Sequence, residues 1–93
     1  MMGSDMLRAK LNAAIDTLAD IEHERWAHWQ KYMHDKGVRQ PDGSLIIPAK
    51  LVSQWDHQLE TPYSALSDDE KESDREQVRK YLPAVVNALS NDD

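Results

Sequence analysis

The sequence predicts a mainly α-helical protein of three to four helices, with a short β-hairpin between the first and second helices. Residues 5–36 contain neither proline nor glycine, and two later segments carry apolar residues at helical spacing. An Asp42-Gly43 turn lies between two short apolar runs, which is typical of a hairpin. A chain of 93 residues fits a single domain, residues 1–93, with a small core.

The first helix is predicted from about Asp5 to Lys36, with Gly37 as its C-terminal cap. Apolar residues at alternating spacings of four and three form a seam along its first half: Leu7, Leu11, Ala14, Leu18 and Ile21. A straight helix of this length would extend roughly 48 Å. A globule of this size is only about 30 Å across. We therefore expect the helix to overhang, bend or break.

Two arrangements of the first helix would cover this seam. If the helix overhangs, the same segment of a second chain covers it and the protein is a homodimer. If instead the helix breaks near Asp20, it can fold back over Val85 and Leu89 within one chain.

The middle of the chain predicts the hairpin and a second helix. Residues 38–40 and 45–47 are the two strands, flanking the Asp42-Gly43 turn. Pro48 suits the first position of a helix that extends to about Leu59, with apolar residues every fourth position. Thr61-Pro62 ends that helix.

The last helix is predicted to open at Ser67, because Glu70 three residues later completes a capping box. Its apolar face is Val78, Leu82, Val85, Val86 and Leu89. Pro83 lies inside this pattern and is expected to kink or split the helix. The remaining residues 90–93 form a short acidic tail.

The net charge of −6 argues against general nucleic-acid binding and against binding to an anionic membrane surface. The absence of cysteine rules out disulfides and thiolate metal sites and fits a cytoplasmic protein. No apolar run reaches the roughly 18 residues of a membrane span.

Neither a metal site nor a catalytic group is indicated. His23 and His28 are five residues apart, whereas a zinc-protease helix places two histidines four apart on one face. The sequence shows neither a glycine-rich phosphate loop nor a nucleophile, base and acid at readable spacing. We therefore expect a protein without enzymatic activity, bound metal or cofactor.

Charged and aromatic residues leave two interpretations open. Like charges recur at i,i+4 positions after Ser67, which disfavours an isolated helix by a few tenths of a kcal/mol per pair. This segment is either a solvated face or a device that turns Arg75, with Lys71 or Arg79, toward the interior or toward an anion. The three tryptophans, Trp26, Trp29 and Trp55, form either a core cluster or a pocket wall.

Two motifs resemble a known family. One is His23-Glu24-Arg25-Trp26 on the first helix, and the other combines Pro62-Tyr63, Leu66, Glu70-Lys71, Asp74-Arg75 and Val78. Together they resemble the RyR domain, named for repeats in ryanodine receptors and also found as small bacterial and phage proteins. The resemblance covers about residues 18–82. It departs in the middle, where Val38 follows Gly37 in place of the family's Gly-Trp-x-Tyr-Gly.

The resemblance implies a compact, mainly helical, non-catalytic module for protein interaction or assembly. The alternative is binding of a small ligand, such as a nucleotide or another anion, in a pocket walled by Trp and Tyr and anchored by Arg75. The candidate ligand-binding residues are His23, Trp26, Tyr63, Lys71, Asp74 and Arg75.

Overall fold

The structure, a computed structural model, describes residues 3–90 and is mainly helical, as predicted. Its elements in chain order are α1 (Ser4–Ala13), α2 (Ile15–Lys36), β1 (Val38–Arg39), β2 (Leu45–Ile46), α3 (Ala49–Glu60) and α4 (Asp68–Ser90). The hairpin follows the predicted first helix, which is itself divided into α1 and α2. Residues 91–93 of the predicted acidic tail lie outside the described residues.

The contacts of the chain group its residues into two units. Unit 1 contains residues 3–25 and 73–90 of the described chain, and unit 2 is Trp26–Glu72. Both α2 and α4 contribute one part to each unit, so each unit is described by itself.

Unit 1 is organised around Ala14, where the predicted long helix breaks. The Ala14 backbone leaves the helical region, with φ −95° and ψ 3°, and its amide donates to the carbonyl of Leu11 at 3.0 Å. The break lies six positions before Asp20, where the alternative arrangement placed it. Ala14 is also the one buried hydrophobic residue within residues 3–90.

The break lets α1 reach the end of α4, as the fold-back arrangement requires. Lys10 Nζ donates to the carbonyl oxygen of Leu89 across 3.4 Å. The seam residues Leu11, Leu18 and Ile21 are half-buried, and Leu7 is 36% exposed. Much of the apolar seam is therefore covered within one chain.

The hairpin of unit 2 is confirmed, with Val38 opposite Ile46 and Arg39 opposite Leu45 in an antiparallel pair. The Asp42 carboxylate accepts hydrogen bonds from the Ser44 amide at 2.9 Å and the Ser44 hydroxyl at 2.7 Å. Gly43 has φ +91°, a conformation that only glycine adopts at little cost. The turn residues therefore set the geometry of the hairpin locally.

Gly37 directly follows the last residue of α2, as predicted, and its amide donates to the His34 carbonyl at 3.2 Å. Its φ is not positive, since Gly43 is the glycine of the described chain with positive φ. A Cβ atom at position 37 would lie 3.2 Å from the Cβ of Leu45. The missing side chain thus permits close approach between the end of α2 and the second strand.

The two later helices begin where local chemistry predicts. Pro48 immediately precedes α3, one position from its predicted place as first helical residue. Ser67 Oγ accepts from the Glu70 amide at 3.2 Å, and Glu70 Oε1 accepts from the Ser67 amide at 3.2 Å, so the capping box is confirmed. The helix α4 continues through Pro83, so of the predicted kink or split the split does not occur.

None of the helices within residues 3–90 combines the length and the apolar character that a membrane span requires.

Candidate functional site

The six predicted ligand-binding residues are divided between the two units. His23, Asp74 and Arg75 belong to unit 1, whereas Trp26, Tyr63 and Lys71 belong to unit 2. Two of them are brought together: Lys71 Nζ lies 5.8 Å from the centroid of the Tyr63 ring, within the range of a cation–π contact. Tyr63 is 49% exposed, at the start of the 3₁₀ turn Tyr63–Ala65.

Arg75 is exposed on α4, and so is its neighbour Asp74. The predicted turn of Arg75 toward the interior is therefore wrong, because its side chain is exposed. A solvated helical face and a turn of Arg75 toward an anion both remain open as interpretations of this segment.

Unit 2 carries the predicted aromatic cluster. Trp29 meets Trp55 edge-to-face, with ring centroids 6.1 Å apart and planes at 60°. Trp29 also stacks on Tyr32 at 5.2 Å and 17°, and Lys36 Nζ lies 5.4 Å from the Tyr32 centroid. The contact between Trp29 of α2 and Trp55 of α3 confirms that tryptophans join these two helices.

The same cluster is only partly enclosed. Trp55 is half-buried, whereas Trp29 is 42% exposed and Trp26, on the preceding turn, is 54% exposed. The aromatic cluster is partly buried at Trp55 of α3 and exposes aromatic surface at Trp26 and Trp29 of α2.

Unit 1 holds a polar network that the sequence did not reveal. The Glu22 carboxylate accepts hydrogen bonds from Arg25 Nε at 3.0 Å, from a terminal guanidinium nitrogen of Arg25, and from the Tyr81 hydroxyl. These donors, with Arg25 foremost, lower the pKa of Glu22 from 4.5 to about 2. The same carboxylate is the main cause of the raised pKa of Tyr81. The network joins α2 to α4.

The lowered pKa of Glu22 predicts a pH-dependent contribution to stability. A carboxyl group whose pKa is lower in the folded chain stabilises it above the unfolded pKa, and this contribution is lost as pH falls through the folded pKa. The gap in unfolding free energy between the wild type and Glu22→Gln should therefore narrow as pH falls from about 4.5 to about 2. Because the Arg25–Glu22 pair is roughly half exposed, the gap should be modest.

Urea unfolding curves at several pH values measure this gap, and Glu24→Gln on the same helix turn is the matched control. A gap for Glu22→Gln that stays constant over this pH range would contradict the assignment.

The most distinctive surface of unit 1 is apolar. Val78, Leu82 and Val86, here called the α4 stripe, lie four residues apart and are 54%, 50% and 60% exposed. Successive members are displaced by only about 40° around the helix. The other predicted apolar residues of α4, Val85 and Leu89, are half-buried on the neighbouring face. The predicted apolar face is thus wider than the part that unit 1 covers.

Comparison of the chain with protein-family models, with curated proteins and with solved structures gave no match. Within residues 3–90, no three His, Asp or Glu side chains are grouped so that they could hold a metal ion. The exposed apolar surfaces are therefore the candidate functional sites of the described residues.

Proposed function

We propose that this chain is a non-catalytic protein-interaction and assembly module that forms a homodimer through the α4 stripe. The observation that carries the proposal is the exposure of Val78, Leu82 and Val86 in a continuous row. Burying apolar surface contributes a favourable free energy of about 25 cal/mol per Å². Contiguous apolar patches of this kind mark interaction sites in proteins.

The accessible area supports a partner of considerable size. The chain exposes 7576 Å². A compact monomer of 10.7 kDa is expected to expose about 5,500 Å². Two separate globules of half that mass would together expose about 6,600 Å², which leaves an excess of about 1,000 Å².

The size of the excess favours a second copy of the chain. Obligate homodimers bury roughly 1,000–2,500 Å² on each subunit, and the excess of about 1,000 Å² over two separate globules lies at the lower end of this range. A stripe at four-residue spacing can also pair with its own copy across a two-fold axis, as helices do in a four-helix bundle. The α1–α2 seam contributes less than predicted, because α4 already covers part of it.

The resemblance to the RyR domain is consistent with an interaction module, and we keep a RyR-like assignment as part of this proposal. Small-ligand binding is the second candidate, because the exposed Tyr63 ring and the Lys71 ammonium lie together in unit 2. An anionic ligand such as a nucleotide would contact these two groups.

Replacing Leu82 with Glu tests the dimer, because it places a charge in the middle of the stripe. By light scattering at tens of micromolar, the wild type should have about twice the monomer mass of 10.7 kDa, and Leu82→Glu should have the monomer mass. The matched control is Asn87→Glu, which introduces the same side chain on an exposed position of the same helix, about 140° from Leu82.

Far-UV circular dichroism establishes that both variants are folded. A wild type with the monomer mass contradicts the proposal. Equal loss of dimer in the two variants would mean that added charge, and not the stripe, is responsible.

A further inference from the structure

Unit 2 carries a second apolar surface, formed by Ile46 and Ile47 of the hairpin and Val52 of α3. These three residues line a shallow groove of about 840 Å³. They are 55%, 37% and 40% exposed. Leu59, two turns after Val52 on the same side of α3, is 85% exposed. Together these four residues are called the hairpin–α3 surface.

One end of this surface is acidic. Asp56 and Glu60 line the same groove, one helical turn apart, and both are exposed. Like charges at i,i+4 disfavour the helix by a few tenths of a kcal/mol. Hydrogen bonds are made to the carboxylates of Glu22, Asp35, Asp42 and Glu70, and none of these four belongs to the groove.

We propose that the hairpin–α3 surface docks a basic amphipathic helix of a different protein. Apolar side chains of that helix would cover Ile46, Val52 and Leu59, and its Lys or Arg residues would lie against Asp56 and Glu60. Val52 and Leu59 are separated by about 10 Å along α3, which matches anchors at i and i+7 on a partner helix. The groove thus selects its occupant by both spacing and charge.

A second copy of this chain is the less suitable occupant. The chain carries a net charge of −6, so another copy brings like charge to an acidic groove. Within residues 3–90, α1 is the one helix with net positive charge, and its Lys10 ammonium already donates to the Leu89 carbonyl. The inference goes beyond the proposed dimer: unit 1 joins copies, and unit 2 of each copy holds a different, basic partner.

The experiment uses two synthetic helical peptides that carry a fluorescent label. Both have Leu at i, i+4 and i+7, followed by two Lys one turn apart in one peptide and two Glu in the other. Fluorescence anisotropy should show the full chain binding the Lys peptide at least about tenfold more tightly than the Glu peptide. In the double variant Asp56→Lys/Glu60→Lys the preference should reverse.

The matched control is Asp16→Lys/Asp20→Lys, a pair on α2 with the same spacing, exposure and charge change. This control should keep the preference for the Lys peptide. Leu59→Ser should weaken binding of the Lys peptide several-fold, because it removes the most exposed apolar anchor.

Three outcomes overturn the inference. The peptides could fail to bind, or bind equally well. The control pair could shift the preference as much as the groove pair does, which would make the effect one of net charge. The groove variant could change the molecular mass by light scattering, which would assign the surface to contact between copies of this chain.

Discussion

Replacing Trp55 with Ala is expected to lower the free energy of unfolding by about 2–3 kcal/mol. Truncating a fully buried tryptophan costs about 3–5 kcal/mol, and Trp55 is half-buried, which reduces the loss. Its edge-to-face contact with Trp29 adds about 0.5–1.5 kcal/mol to its packing. This contact holds α3 against α2, so its loss removes the main aromatic link of unit 2.

Urea denaturation followed by far-UV circular dichroism measures the effect without depending on tryptophan emission. Trp26→Ala is the matched control, because Trp26 is 54% exposed and its truncation should cost less than half as much. Equal losses for the two variants would show that the cluster is not centred on the Trp29–Trp55 pair.

Enlarging Ala14 to Leu should raise the free energy of unfolding by about 0.5–2 kcal/mol, because added methylenes can fill free space beside a site that is already out of water. Ala14 is 9% exposed and lines a groove of about 380 Å³ together with Ala84 and Ala88 of α4. The larger side chain should also strengthen the approach of α1 to the end of α4.

Ala19→Leu is the control for this substitution, since Ala19 is exposed on α2 and does not line the groove. Chemical denaturation of both variants decides the prediction. If Ala14→Leu is no more stable than Ala19→Leu, the added methylenes do not fill the groove beside Ala14.

Features set by neighbouring residues were predictable from the sequence. The Asp42-Gly43 turn and the Ser67–Glu70 capping box depend on side chains within three positions of one another, and both appear as expected. The same holds for the end of α3 at Thr61, where the following proline cannot continue the helix.

Features set by distant residues were not predictable. Alanine is the strongest helix former, so nothing local marks Ala14 as a break. Glu22 and Tyr81 are 59 positions apart, and neither belongs to a motif that pairs them. Periodicity identified the apolar face of α4, but it cannot tell which part of that face the same chain covers.

The candidate site rests on the resemblance and stays a prediction. Among its residues the structure pairs Tyr63 with Lys71. Leu59, expected on the apolar side of α3, is among the most exposed side chains. A single sequence contains no information on which exposed apolar residues another molecule covers.

The division into two units has a consequence for the order of folding. Unit 2 is continuous in the chain, so its hairpin and aromatic contacts close short loops, which form quickly. Unit 1 is assembled from both ends of the chain, and its Lys10–Leu89 contact joins residues 79 positions apart. The entropic cost of closing so long a loop is smaller once the intervening segment is compact. We therefore expect unit 2 to fold first and to bring the two halves of unit 1 within reach.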